Sequence, residues 1–188
     1  QVGRFDKFKD PLGVIDAYKI VKKSIDCQLI LAGGTATDDP EGIEVFQEVQ
    51  KKVEGEEDVH LIILPPFSDL EINVFQTVSS VVLQKSVKEG FGLTISEALW
   101  KGVPVIGGAI GGIPSQIIDG VTGYLVHSTE GAANKITYLL RNPDEAERLG
   151  KNGHEYVKGR FLLTRHLRDY LLVIHFLEHP REDFIPYL

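Results

Sequence analysis

Cys27 is the single cysteine of the chain, which excludes an intrachain disulfide and fits a reducing compartment. No apolar run approaches the roughly 20 residues of a membrane-spanning helix. The sequence carries no signal-peptide pattern and no Asn-x-Ser/Thr triplet, the acceptor for N-glycosylation. Positive charge is short: 20 Lys and Arg against 27 Asp and Glu leave a net charge of −7. That balance argues against broad attraction to nucleic acid or an anionic membrane, and an anionic ligand would have to be held by local geometry. Internal repeats and low-complexity segments are absent too. The expectation is a cytoplasmic protein with no nucleic-acid partner and no membrane partner.

What is present suits a packed domain. The chain has 188 residues, 43% of them hydrophobic, enough for one well-formed core. Gln1-Val2-Gly3 reads as the end of a first strand. Gln28 to Ala32, His60 to Leu64 and Val81 to Leu83 read as further strands, followed by Val103 to Ile106 and Tyr124 to Val126. These runs are apolar throughout rather than alternating, the mark of a sheet covered on both faces. Helical spacing of apolar residues predicts helices over about 12–23, 42–53, 69–77, 130–140, 144–158 and 161–177, with Pro143 suited to a first turn. Asp38 stands as an N-cap candidate ahead of Pro40. Alternating strand and helix predict an α/β fold built on a doubly wound, Rossmann-like parallel sheet. Such sheets take ligands beyond the carboxyl ends of their strands, and Arg4, Gly33, Pro65 and Gly90 all follow strands.

One stretch stands out, Lys88-Glu89-Gly90-Phe91-Gly92-Leu93-Thr94-Ile95-Ser96-Glu97-Ala98-Leu99-Trp100. Gly90 and Gly92 let a ligand approach the main chain closely. Thr94 and Glu97 have the spacing of a capping box, and Ile95, Ala98 and Leu99 share one helix face. A glycine loop feeding a helix start gathers free N–H groups and the positive end of the helix dipole, which suits a phosphate. The plainer reading of the same residues is a turn and a cap.

Glu89 and Glu97, with Gly102-Val103-Pro104-Val105-Ile106, Gly111-Gly112-Ile113-Pro114 and Asp119-Gly120-Val121-Thr122-Gly123 in the same order, resemble the Glu-x₇-Glu pattern of retaining nucleotide-sugar glycosyltransferases with the GT-B fold (glycosyltransferase family 4). The resemblance covers nearly the whole chain and implies the C-terminal, donor-binding half of a two-domain enzyme. Residues 1–160 would be the Rossmann-like donor domain, and 161–188 a C-terminal helix and tail returning toward an N-terminal acceptor domain. It implies that Arg4 and Lys9 contact the donor diphosphate and assist catalysis, with Lys7 a weaker candidate. Glu89 would lie at the donor sugar as a catalytic residue. Gly90, Phe91, Gly92, Leu93 and Thr94 would hold sugar and phosphate oxygens, and Glu97 the ribose hydroxyls. The segment from Leu64 and Pro65 to Phe67 would bracket the base. The implied partners are a nucleoside diphosphate glucose and a sugar acceptor, with no cofactor and no metal.

Asp38-Asp39-Pro40-Glu41-Gly42, Leu83-Gln84-Lys85-Ser86 and Trp100-Lys101 resemble the glycosyltransferring trehalose synthases within that family; trehalose phosphorylases share much of the pattern. A non-catalytic nucleotide-binding or oligomerising module on the same fold is the alternative from another class.

Competing motifs are weaker. Eight residues on one helix would span about 12 Å; Glu89 lies before the helix, and as a guide this spacing points away from a hydrolase pair, which stands about 5 Å apart when retaining and about 6.5–9.5 Å when inverting. His175-Phe176-Leu177-Glu178-His179 fits H-x-x-E-H, a zinc-peptidase pattern, but Pro180 follows at once and little chain remains for a third ligand. Ser86 and Ser96 lack a G-x-S-x-G context, and Gly107 to Gly112 lack G-x-G-x-x-G spacing. Cys27 reads as a small core residue. Tyr170-Leu171-Leu172-Val173-Ile174 make the last helix unusually apolar, so an exposed face and a homodimer through it are expected.

Overall fold

The computed structural model describes residues 1–34 and 40–179; the expected cap at Asp38 and the tail beyond His179 lie outside them. Helices α1 (Pro11–Lys22), α2 (Pro40–Lys52), α3 (Asp69–Val78), α4 (Leu93–Trp100), α5 (Ile113–Gln116), α6 (Thr129–Arg141), α7 (Pro143–Arg160) and α8 (Leu163–Glu178) alternate through most of the chain with strands β1 (Leu29–Gly33), β2 (Val59–Ile63), β3 (Val82–Gln84), β4 (Val105–Gly108) and β5 (Tyr124–Val126). Each strand pairing is parallel: β1 with β2, and β3-β4-β5 in that order. The first strand is not a ladder. Val2 makes an isolated parallel bridge to Ala32, through Gly3 N–H to Ala32 O at 2.9 Å and Ala32 N–H to Gln1 O at 3.1 Å.

Neighbouring residues within a strand show why helices lie on both faces. Val82 packs in one apolar cluster with Ile95, Leu99 and Val157, while Leu83 packs in another with Val14, Ile15 and Leu139. Val105 and Ile106 divide in the same way. Successive strand side chains point to opposite faces, so α1 and α6 cover one face and α4, α5 and α7 the other. β2 departs from the expected full burial, since His60 and Ile63 are exposed on an outer strand.

Helix starts follow local chemistry. Asp10 caps α1 by accepting from Gly13 N–H at 3.1 Å, and Pro11 fills the first position, where a missing N–H costs nothing. Ser128 caps α6 through Gly131 N–H at 3.0 Å, and Pro143 opens α7 as expected. The β4 strand sits two residues later than the Val103 start read from sequence, because Pro104 has no N–H to give to a ladder. The short α5 was not legible in the apolar pattern.

Candidate functional site

Parallel strands bring their carboxyl ends to one edge, and the loops leaving them meet there. Residues 4–10, 64–68, 85–92 and 109–112 form this edge. Val87 N–H donates to Phe8 O at 2.9 Å and Gly112 N–H to Gly90 O at 2.9 Å. Gly33 O accepts from Leu64 N–H at 3.0 Å.

Glu89 is the most heavily held side chain of the edge. Its Oε2 accepts from the Lys9 ammonium, from Ser86 Oγ at 3.2 Å and from Gln84 Nε2 at 3.3 Å. Oε1 accepts from Gly90 N–H at 3.2 Å. Burial pushes the Glu89 pKa up. The Lys9 hydrogen bond and charge, the Ser86 hydroxyl and the Gly90 N–H outweigh burial and hold the carboxyl below its ordinary value. Next to this pair, Lys85 binds Asp10 across the same two loops. Lys9 is 20% exposed and Glu89 11%, so their attraction is screened less than that of a surface pair. An ammonium has three donors, and Lys9 retains capacity for an anion.

Arg4 stands apart from this cluster. Its side chain is 71% exposed and reaches Asp6 at 3.6 Å, a contact loose enough to be exchanged. It lines a cleft of about 540 Å³ with Gly33, Gly34, Leu64, Pro65, Pro66 and Phe67. Phe67 is 96% exposed with φ 65°, a left-handed conformation rarely taken by a bulky residue. Leu64 and Pro65 thus share a wall with Arg4, while Lys9 and Glu89 form the neighbouring cluster.

The capping box is corrected. Gly92, at φ 88°, is the N-cap of α4, and the helix starts at Leu93. Only glycine takes that conformation without strain, so the loop sets the N-cap two residues ahead of Thr94. Thr94 Oγ1 donates instead to Val2 O at 3.5 Å. Glu97 accepts from Gln76 Nε2 at 2.8 Å, so its carboxylate serves no cap. The N–H groups of Leu93 and Thr94 precede the first intrahelical bond. Gln116, fully buried, holds the loop carbonyls of Phe91 and of Gly92, the latter at 3.4 Å. Gln76, Gln84, Ser86 and Gln116 were not legible as site residues, since nothing local marks a buried amide whose partner lies up to 25 residues away.

His175 and His179 stack with ring centroids 4.4 Å apart, and among the described residues no group of three or more His, Cys, Asp or Glu has metal-holding geometry. Cys27 is half-buried against the core, and burial raises its thiol pKa. No described helix is long and apolar enough to cross a membrane.

Comparison with known proteins bears on this edge. The family model for glycosyl transferases group 1 matches residues 1–156. Trehalose synthase of Thermococcus litoralis is 46% identical over 173 residues, which are 91% of this chain and 42% of that protein. Trehalose phosphorylase of Grifola frondosa is 35% identical over 147 residues, 71% of this chain and 20% of that protein. Anabaena HepE, solved in complex with UDP and glucose, superposes with TM-score 0.79 at 20% identity, covering 93% of this chain and 47% of that chain; at this identity the likeness shows the fold. The chain spans less than half the length of each of these proteins.

Proposed function

Because this chain belongs to the glycosyl transferases group 1 family, we propose that its strand-end edge is the donor site of a retaining transferase that moves glucose from a nucleoside diphosphate glucose to a sugar acceptor, in the longer protein glucose itself, giving trehalose. The observation that carries this reading is the Lys9–Glu89 pair, braced by Gln84 and Ser86 and placed directly before the glycine-opened helix α4. The 46% identity to trehalose synthase supports the product.

In this reading the base lies in the cleft lined by Leu64, Pro65 and Phe67, whose exposed ring offers a stacking face. Glu97 takes the ribose. Arg4 and Lys9 hold the diphosphate, Arg4 by a two-pronged grip and Lys9 as a point charge. Gly90, Phe91, Gly92, Leu93 and Thr94 offer backbone donors to phosphate and sugar oxygens at the positive end of α4. The bond from the glucose anomeric carbon to the diphosphate oxygen breaks, and its electron pair leaves with the diphosphate. Arg4, Lys9 and the helix end stabilise that charge as it develops. The acceptor hydroxyl oxygen bonds to the same face of the sugar as its proton passes to the departing diphosphate oxygen, and Glu89 orients the donor sugar. Residues 1–160 serve as the donor domain, and α8 offers its exposed face to the acceptor-binding part or a second copy.

The second reading is phosphorolysis, favoured by the 35% identity to trehalose phosphorylase; phosphate would then occupy the diphosphate's place. Calorimetry of the chain with UDP, ADP and GDP, repeated on Glu97→Ala, tests the proposal. Binding that is lost in the variant at unchanged thermal stability supports it. No binding by the unaltered chain sinks the nucleotide reading and leaves phosphate, or a non-catalytic module, ahead. The chain alone is expected not to form trehalose; trehalose in its reaction mixture would show that no further domain is needed.

A further inference from the structure

We infer that Gln76 is a positioning residue, whose carboxamide, oriented by Lys101, fixes one oxygen of Glu97 and leaves the other for a ribose diol. The inference rests on the donor-site reading above and adds the residues that aim its ribose contact.

Gln76 lies on α3 and is fully buried. Its Nε2 donates to Glu97 Oε2 at 2.8 Å, and its Oε1 accepts from Lys101 Nζ at 2.8 Å. Lys101 also donates to Glu97 O at 3.2 Å. An ammonium only donates and a carboxylate only accepts, so these two neighbours admit one orientation of the carboxamide. Glu97 Oε1 has no hydrogen-bond partner among the described residues.

Glu97 is exposed, and an exposed Glu without a brace samples many rotamers. Freezing them when ligand binds costs affinity, and Gln76 removes that cost beforehand. The brace also links the two halves of the site. Asp69 and Ile72, on the first turns of the same helix α3, line the cleft that holds Leu64, Pro65 and Phe67. One rigid element thus carries a cleft wall at its start and the Glu97 brace near its end.

The test is calorimetry of the chain with whichever of UDP, ADP and GDP binds most tightly, with its 2′-deoxy counterpart, and with inorganic pyrophosphate. Gln76→Met keeps the side-chain length and removes the amide. It should weaken nucleotide binding about tenfold, the size of one charge-assisted hydrogen bond. The preference for ribose over deoxyribose should fall toward unity, with pyrophosphate affinity unchanged. Lys101→Met, which frees the carboxamide to turn, should erode the same preference. Gln76→Glu provides a variant of equal volume that keeps the Lys101 pairing. It sets two carboxylates together, so the preference should be lost at neutral pH and return as acid supplies a shared proton.

A Gln76→Met chain that keeps its ribose preference, or that loses pyrophosphate binding in parallel, overturns the inference. Glu97→Ala separates the two levels. If that variant keeps the preference, the ribose role of Glu97 itself is wrong. If it loses the preference while Gln76→Met does not, only the positioning role is wrong. Absence of nucleotide binding by the unaltered chain removes both.

Discussion

Lys9 is worth most to this edge as the counter-charge of Glu89. Glu89 is pulled in two directions, upward by burial and downward by Lys9, Ser86 and Gly90. Removing only the ammonium, as in Lys9→Met, leaves burial in place, so the Glu89 pKa should rise. A carboxyl whose folded pKa is depressed contributes stability that is complete above its unfolded value of about 4.3, and loses it as pH falls through the lower folded value. In Lys9→Met that contribution disappears, so the variant should be less stable at neutral pH and begin its acid transition at higher pH. Side-chain NMR titration of Glu89 reads the shift directly. An unchanged titration would mean that Ser86 and Gly90 alone hold the carboxylate. At this scale the sequence showed only part. The pattern singled out Arg4, Lys9, Glu89 and Glu97 as candidates, but it gave no part to Gln76, Gln84 or Gln116. A glutamine's role depends on what the fold sets beside it, and Gln76 meets Glu97 only because α3 packs on α4.

The glycines act through the elements they let approach. Gly111 has φ 56°, and a Cβ there would stand 1.8 Å from Glu89 O. Gly90 has nothing within 4 Å of such a Cβ and no left-handed φ. The two alanine variants should therefore separate. Gly111→Ala must push back the Glu89 loop, costing about 1–3 kcal/mol as overpacking and more from backbone strain, with nucleotide binding lost alongside. Gly90→Ala should stay within about 0.5 kcal/mol of the unaltered chain and weaken binding only if ligand approaches that backbone. Chemical unfolding and calorimetry on both distinguish a loop that is merely folded from one that is used. Equal losses of stability in the two would contradict the close approach seen at Gly111. The sequence placed Gly90 and Gly92 in a loop ahead of a helix, but not the helix start. Thr94 looked like the cap, and Gly92 took the position because its left-handed backbone already turns the chain into α4.

The α/β succession was readable across the whole molecule because buried strands leave continuous apolar runs and the helices leave spaced ones. The ladder's division was not readable, since hydrogen-bonded pairing at Val2 ends after a single bridge. The apolarity of the last helix was also plain, and its consequence belongs to the molecule as a whole. No residue of α8 is buried. Leu163, Leu167, Tyr170, Leu171, Ile174 and Leu177 are all exposed, and their spacing sets them along one face. A contiguous apolar stripe of this kind favours association. The chain by itself should therefore self-associate with rising concentration in sedimentation velocity. Leu167→Glu with Leu171→Glu should shift it to monomer. Because both leucines are more than half exposed, the double variant should lose little of its own stability, within about 0.5 kcal/mol for each site. A large fall in stability would mean that α8 packs on the domain more closely than its exposure indicates. A chain that stays monomeric at every concentration would mean that the stripe has no affinity for its own copy. The substitutions could then be read in the longer protein, where loss of activity at unchanged folding would assign this face to the contact between its parts.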